Sequence, residues 1–449
     1  MNITVCMKIA GGEANPFDEA ALECALRIGG DITVISMCPQ PALPVLQRIT
    51  RLGVRAVLLS DPVFAGADTL ATAYILSRAI EKTAPDLILC GRQSVDGDTA
   101  QVGPCLATLL NIPVITNVME QPRLGETVQC QTRMGEETAE SPCLLTIERI
   151  HTLRFPSLGS RAGEVEIWDN SVIRADTVRC GLNGSPTRVL KTFENKKGQR
   201  KCKFISREEL LPLIERLKNE DRQARECSTA AENKLKEVWT IGKLKEAESI
   251  AENVVVIEET NPWKIAALAE EKQPQVILWN ADLWGRKNAP ITAALLQTGL
   301  CADCTALETD GKRLFMYRPA RSGSVTAKIE CRTNPQMATV RTKAKSGDII
   351  ISGGKGVKGE MERLRRFAKK IGAETGASRG LVDLGGAPYS EQIGLTGKSV
   401  SPKIYIAVGI SGAVHHICAI ENAGTIIAIN PNKDARIFEY ADYGIVGEF

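Results

Sequence analysis

The chain has 449 residues, 43% hydrophobic and 24% charged, a composition that excludes a disordered chain and a coiled-coil rod. Lys plus Arg is 56 and Asp plus Glu is 53, a formal net charge of +3, so neither nucleic acid nor a membrane surface is expected as a partner. The most apolar stretch, 404–414, ends at His415 and His416, well short of the about 18 residues of a spanning helix, so no membrane insertion is expected.

At about 150 residues per domain, roughly three domains are expected. The opening MNITVCMKIA reads as a buried strand and not as an export signal. The 14 cysteines show no disulfide-like rhythm and fit reduced thiols of a cytoplasmic protein. Histidine is confined to His151, His415 and His416, which rules out a His-rich metal centre. The single CxxC, Cys301 to Cys304, cannot complete a four-thiolate site alone and reads as structural. No metal site and no catalytic nucleophile is expected.

The first 120 residues alternate strands (3–9, 31–37, 56–60, 86–90) with helices (17–28, 68–82), the second helix capped by Asp68. This predicts a parallel, doubly wound sheet. From 127 to 167 the pattern turns to alternating, antiparallel-looking segments such as 141–150. Residues 192–236 are dense in charge and read as a linker carrying an exposed amphipathic helix over 206–225. Strands at 254–257 and 276–279 and helices at 261–270 and 289–298 begin a second α/β pattern. Strands at 348–352, 404–408 and 425–429 then form a third, with a helix after Gly356 built on Met361, Leu364, Phe367, Ala368 and Ile371.

Two of these last strands run into glycine turns, SGGKG (352–356) and GISGA (409–413). Such a turn lets backbone N–H groups approach an anion, and the following helix adds partial positive charge. SGGKG is not a Walker A motif, and on its own it reads equally as a tight strand-to-helix turn. Around it stand Ser378 and Arg379, the loop Gln392, Ile393, Gly394, Leu395, Thr396, Gly397 and Lys398, and the two adjacent histidines. Together they offer a hydrogen-bonding surface for a flat, polar-edged molecule with a pyrophosphate.

These strings carry a resemblance. SGGKG, GASRG (376–380), QIGLTGKSVSPKIYIAVGISGAVHH (392–416), AIN (428–430) and ADYGIVG (441–447) resemble the FAD-binding domain of the electron-transfer flavoprotein alpha subunit. TGLCADCTAL (298–307), YRPA (317–320) and NPQMATVR (334–341) resemble that subunit's N-terminal domain. NPFDEAALECALR (15–27), LLSDPVFAGADTLATAY (58–74), LCGRQSVDGDTAQVGP (89–104), RFPSL (154–158) and GLNGSPT (181–187) resemble the beta subunit. The likeness covers nearly the whole chain except the linker, as though beta and alpha were fused in that order.

It implies α/β folds throughout: two doubly wound, adenine-nucleotide-hydrolase-like domains (1–191 beta-like, 237–346 alpha-like) and a parallel-sheet FAD domain (347–449), with 192–236 as linker. It implies an electron carrier using FAD between a dehydrogenase, for example of the acyl-CoA dehydrogenase kind, and a redox acceptor protein. The chain would act as a monomer equivalent to a beta–alpha heterodimer. Arg379 would lie against the flavin face and Ser378 would help hold the cofactor. Thr396 would approach N5, within a loop formed with Gln392, Ile393, Gly394 and Gly397. His416 would stand at the flavin O2 edge, where a reduced flavin gains negative charge. Gly409, Ser411, Gly412 and Ala413 would meet the pyrophosphate, Asn430 and Asp442 the ribityl or adenosine part, and Lys355 with Gly356 the flavin. Lys355 stands where the family usually has arginine, which loses the planar fork.

The loop Gly91, Arg92, Ser94, Asp96, Asp98, Thr99, Ala100, Gln101, Val102 and Gly103, with Asn15, would hold a second nucleotide, AMP or a second FAD. DGDTAQVGP (96–104) resembles the electron-bifurcating kind, which oxidises NADH. Read as a plain turn instead, Asp98 or Thr99 would cap the helix that follows. Compared with the family, the hairpin after Lys8 is lacking, the loop after Leu158 is short, the alpha-like half starts late with an abbreviated first strand and helix, and the sequence ends at Phe449 before the usual terminal helix. These departures also admit an adenine-nucleotide-binding or sensing protein that kept the fold and lost redox function.

Overall fold

The computed structural model describes residues 1–194, 200–219, 233–320, 325–341, 347–357, 359–394 and 397–449. It divides into two compact units, one from Met1–Thr192, Ala231–Arg321 and Ala327–Val340, the other from Phe193–Ala230, Ser322–Thr326 and Arg341–Phe449.

The first unit is built on two parallel sheets. In the larger one, seven parallel strands run in the order Val114–Val118, Cys143–Ile147, Leu87–Gly91, Asn2–Cys6, Asp31–Met37, Arg55–Leu59 and Val165–Trp168. Antiparallel strands Val128–Thr132 and Gly135–Ala139 close one edge. The expected antiparallel segment 141–150 is therefore corrected. All five residues of Cys143–Ile147 are buried, and covering both faces suits an interior parallel strand. Helices Pro16–Ile28 and Thr69–Ile80 cover opposite faces of the sheet. Asp68 caps the second as expected, accepting from Leu70 and Ala71 N–H at 3.0 Å.

The smaller sheet has the parallel order Ala251–Ile257, Leu235–Ile241, Val276–Asn280, Gln336–Val340, Leu300–Cys304. Its first strand, Leu235–Ile241, is seven residues long and is not abbreviated; the element after it is, being a 3₁₀ turn over Lys245–Ser249. After Lys8 the short pair Ile9–Ala10 and Glu13–Ala14 forms a minimal hairpin.

The second unit is a single parallel sheet ordered Lys203–Phe204, Tyr443–Val446, Thr425–Asn430, Ile404–Val408, Ile349–Gly353, Glu374–Ser378, Gln392–Ile393. Part of the stretch read as linker belongs to this fold. Helix Leu210–Asn219 buries Leu210, Leu213, Ile214 and Leu217 in one core with Met361, Leu364, Ala368 and Ile371 of helix Met361–Ile371. Its charges decorate the outer side of an amphipathic helix, which is why composition alone reads as solvent-exposed.

Candidate cofactor sites

In the second unit, strand register brings the expected cofactor loops to one edge. Gly353 lies opposite Val408 and Ala377, Val408 opposite Ile429, and Ser378 opposite Ile393. The segments after these strands therefore open at the carboxyl side, where doubly wound sheets bind nucleotides. Gly354 N–H donates to the Val408 carbonyl (2.8 Å) and Gly356 N–H to the Gly409 carbonyl (3.0 Å), lacing the two glycine turns together. Gly412 has φ +87°, and a Cβ there would collide with the backbone of Ile437. Ser411 and Ala413 are exposed beside it. A turn this close to its neighbours admits no side chain and leaves its surface as backbone.

Lys355 is exposed at the head of a short 3₁₀ turn, with its stem against Gly380. Arg379 is half-buried and its Nε donates to Asp383 Oδ2 at 3.2 Å; Ser378 is half-buried beside it. Gln392, Ile393 and Gly394 are buried, and the turn closes through Lys398 N–H to the Gln392 carbonyl (2.8 Å) and Gly397 N–H to the Gly394 carbonyl (3.0 Å). Thr396 lies outside the described residues. Asn430 donates from Nδ2 to the Ile410 carbonyl at 2.9 Å and accepts from Asn432 N–H at 2.9 Å, so its side chain braces the ISGA turn.

Two expected roles are corrected. Asp442 precedes strand Tyr443–Val446, and Tyr443 pairs with Ile427 near the start of its neighbour. Asp442 therefore sits at the amino edge of the sheet, away from the glycine turns. There its carboxylate accepts from Ile426 N–H at 2.8 Å and pairs with Arg200. The acid at the carboxyl edge is Glu448, beyond the end of the same strand. It lines an apolar hollow with Arg207, Phe367 and Phe449, and the string ADYGIVG stops one residue before it.

His416 is 5% exposed. Its Nδ1 is 3.1 Å from the Ile393 carbonyl and its Nε2 is 2.8 Å from Tyr405 Oη. A carbonyl only accepts, so Nδ1 carries the proton and Nε2 accepts from the tyrosine. The one N–H of the neutral ring is thus committed, and no donor is left free for a flavin oxygen. Burial pushes its pKa down to about 4. His415 is exposed.

In the first unit, a cavity of about 400 Å³ opens at the carboxyl ends of Asn2–Cys6 and Leu87–Gly91. Among the expected second-nucleotide residues, Asn15, Gly91, Arg92, Ser94, Thr99, Ala100, Gln101, Val102 and Gly103 line it. Asn15 ties the loop down, donating to the Gln93 carbonyl at 2.9 Å and accepting from Val95 N–H. Gly103, in the first turn of helix Val102–Leu109, has room for no Cβ, which would stand 2.6 Å from Thr146.

Asp96 and Asp98 do not line the cavity. Asp96 pairs outward with Lys8 at 2.7 Å. Asp98, buried with φ +51°, turns inward and accepts from Gln93 Nε2 at 3.0 Å. Neither Asp98 nor Thr99 caps the helix, whose N-cap is Gln101, without a side-chain capping bond. Gln101 instead accepts from Thr69 Oγ1 (2.8 Å) and donates to the Leu300 carbonyl (3.1 Å).

Sequence reasoning missed several lining residues. Asp18 is 6% exposed and accepts from Lys8 N–H and Gly91 N–H, both at 2.8 Å, which fixes the two strand ends that floor the cavity. Burial raises its pKa to about 6. Leu300, Cys301, Ala302, Arg318 and Ile329 line it from the alpha-like half. The strings TGLCADC and YRPA held this signal, but only as family likeness, with no role attached.

Comparison with known proteins agrees with this layout. Residues 3–172 and 253–363 match the model of the electron transfer flavoprotein domain, and residues 343–421 match that of the electron transfer flavoprotein FAD-binding domain. The chain is 41% identical over 231 residues to electron transfer flavoprotein subunit alpha of Thermoanaerobacterium thermosaccharolyticum, covering 41% of this chain and 70% of the relative. It is 43% identical over 193 residues to subunit beta of the same organism, covering 40% and 74%. It is also 36% identical over 231 residues to protein FixB of Clostridium saccharobutylicum, covering 41% and 69%. The glycine turns without room for a Cβ and the convergent strand ends fit FAD in the second unit. Among the described residues no helix is long and apolar enough to cross a membrane. The chain belongs to the electron transfer flavoprotein family, with beta-like and alpha-like parts joined in one polypeptide.

Proposed function

We propose that this chain carries electrons on an FAD held at the carboxyl edge of the second unit, taking them from a dehydrogenase and passing them to a redox acceptor protein. The observation that carries this reading is the convergence of the two laced glycine turns with Arg379 and the Gln392–Gly394 segment at one sheet edge. When bound, FAD supplies the redox chemistry; the protein supplies position and electrostatics. The backbone of the turn at Ser411, Gly412 and Ala413 would hold the pyrophosphate, Lys355 and Arg379 would place positive charge beside the cofactor, and Asn430 keeps the ISGA turn in shape. His416 reaches the flavin O2 edge only by giving up its bond to the Ile393 carbonyl.

The cavity of the first unit takes an adenine nucleotide in this reading. The lining loop's likeness to the electron-bifurcating kind supports a second FAD that is reduced by NADH. The competing occupant is AMP, since a cavity of about 400 Å³ lies near the small end of ligand sites, roughly 300–1,000 Å³. The visible spectrum of the purified chain, with flavin and AMP counted per polypeptide, tests both levels. Two FAD per chain with bleaching by NADH supports the full proposal. One FAD and one AMP, with no reaction with NADH, leaves a simple carrier. A colourless protein that takes up no flavin on reconstitution overturns electron transfer and leaves an adenine-nucleotide-binding protein.

A further inference from the structure

A charge taken up inside a protein needs hydrogen-bond partners ready to receive it. His416 has one place for such an uptake. Its Nδ1–H is committed, so Nε2 is the ring atom that can accept a proton, and its partner there is Tyr405 Oη at 2.8 Å. While the ring is neutral the tyrosine must donate. Once Nε2 carries a proton, the same oxygen must accept, and the tyrosine's own proton needs another acceptor.

Strand register supplies one. Tyr405 lies opposite Ile350 on the neighbouring parallel strand, and Ser352 stands two residues further along it, so both side chains leave the same face of the sheet. Tyr405 and Ser352 are each 0% exposed. The residue facing Ser352 on its other side is Gly376, which brings no side chain. Ser352 Oγ completes no hydrogen bond among the described residues, yet it is close enough to Tyr405 to act on the phenol as a donor. A buried hydroxyl without a fixed partner costs free energy, so its presence calls for a reason. A hydroxyl carries one proton and two lone pairs and can turn. Ser352 can thus donate to Tyr405 Oη while His416 is neutral and accept from it when His416 is charged.

The surrounding core is apolar, with Ile350, Ile393, Ala407 and Ile417 among its members and Cys202 and Tyr440 at its margin. Burial pushes the thiols of Cys202 and the nearby Cys418 up to about 11, so neither supplies a counter-charge near neutral pH. Arg341 and Glu421 act on Cys418 and not on His416, and His415 faces solvent. Among the described residues, His416 is governed by burial, which lowers its pKa, and by the Ile393 carbonyl, which raises it.

We infer that Tyr405 and Ser352 are positioning residues for His416, a pair of hydroxyls that reverse their hydrogen bonds so that the buried ring can take a proton from solvent when negative charge develops on a cofactor beside it. One proton enters at Nε2 and two O–H groups turn; nothing else is gained or lost. The inference rests on the reading of this sheet edge as the FAD site, which supplies the negative charge, and the flavin-free chain tests the hydroxyl pair without it.

The test is imidazole NMR of the full chain, which has three histidines, with His151→Gln and His415→Gln for assignment, in wild type, Tyr405→Phe and Ser352→Ala. Without flavin at about pH 5, a wild-type ring with a pKa of about 4 is about one-tenth protonated. Tyr405→Phe removes the acceptor that the charged ring needs and should cut that fraction about tenfold, the effect of one hydrogen bond to a charged group. Ser352→Ala strands the tyrosine's proton and should cut it about threefold, the effect of one neutral hydrogen bond. A merely structural loosening would admit water and raise the fraction instead, so the sign separates the two roles. In the FAD-loaded chain at about pH 7, reduction with dithionite should raise the protonated fraction of wild-type His416 at least about tenfold more than that of Tyr405→Phe. If either variant leaves the flavin-free fraction unchanged or raises it, the proposal is wrong. Reduction that leaves wild-type His416 neutral, or protonates wild type and Tyr405→Phe alike, also overturns it. If the flavin-free fractions fall as stated but the chain takes up no FAD, the hydroxyl pair stands and the reading of the edge as the FAD site fails.

Discussion

His416 makes the stability of the second unit depend on pH in a way that can be worked out in advance. Both ring nitrogens are engaged, and protonating Nε2 would set a positive charge against the Tyr405 hydroxyl in a buried site. Burial lowers the pKa to about 4, against about 6.5 in an unfolded chain. The unfolded state therefore binds the extra proton first, and stability falls as pH drops from about 6.5 toward about 4. The whole gap is about 2.5 units, or roughly 3 kcal/mol at 1.36 kcal/mol per unit. Between about pH 7.5 and about pH 5 the loss is about 2 kcal/mol. His416→Gln retains a donor for the Ile393 carbonyl and an acceptor for Tyr405 but cannot titrate, so it should lack this loss. All five tryptophans, Trp168, Trp239, Trp263, Trp279 and Trp284, lie in the first unit. Tryptophan fluorescence consequently reports that unit, and hydrogen exchange of peptides spanning 404–420 reports the second. Equal pH dependence of that exchange in wild type and His416→Gln would refute the reasoning.

Gly412→Ala should destabilise the second unit by more than about 1 kcal/mol from the positive φ alone, with added strain from the collision at Ile437, and should lower the flavin content of purified protein. Asp18→Asn tests the buried carboxylate of the first unit. Its folded pKa of about 6 exceeds the unfolded value, so the group's contribution is full below about pH 4 and is lost as pH rises through about 6; urea melts followed by tryptophan fluorescence should show wild type losing ground to the variant by about 2–3 kcal/mol across that range. Ile214→Ala removes a side chain that is 0% exposed and should cost the second unit about 2–5 kcal/mol, read by exchange in strand Ile404–Val408; no change there would mean that helix Leu210–Asn219 is not part of this core.

The repeating strand–helix pattern made the parallel sheets legible, because strands buried on both faces read as β-branched runs, as in Asp31–Met37 and Ile404–Val408. Cys143–Ile147 misled for a local reason: its neighbours Val128–Thr132 and Gly135–Ala139 do alternate buried and exposed residues, and a short apolar run beside them carries no sign of its pairing partner. Helix Leu283–Leu295 was legible only in part, since Pro290 stands inside it and an interior proline reads as a boundary. The glycine turns could be placed at a sheet edge from sequence because a turn is local. The partners of His416 and Asp442 could not, because strand register and distant segments of the chain bring them together.

The same distinction explains why the two candidate sites differ in how much of each could be read. The second unit's site is assembled from segments that directly follow their own strands, so motif order already gives the geometry. The first unit's cavity is closed by residues from both halves of the chain. Gln101 reaches the Leu300 carbonyl, Cys105 Sγ lies 3.4 Å from the Pro290 carbonyl, and Arg318 comes in from a strand that pairs with Ala306–Thr309. None of these contacts leaves a trace in local periodicity. They matter because a loop of backbone donors can meet any phosphate, whereas the residues that close the cavity around it, the buried Arg92 and Arg318 among them, set its size and charge. Selectivity in this unit therefore follows from how the two halves fold together, and the glycine loop that announces the site in the sequence does not by itself decide what it holds.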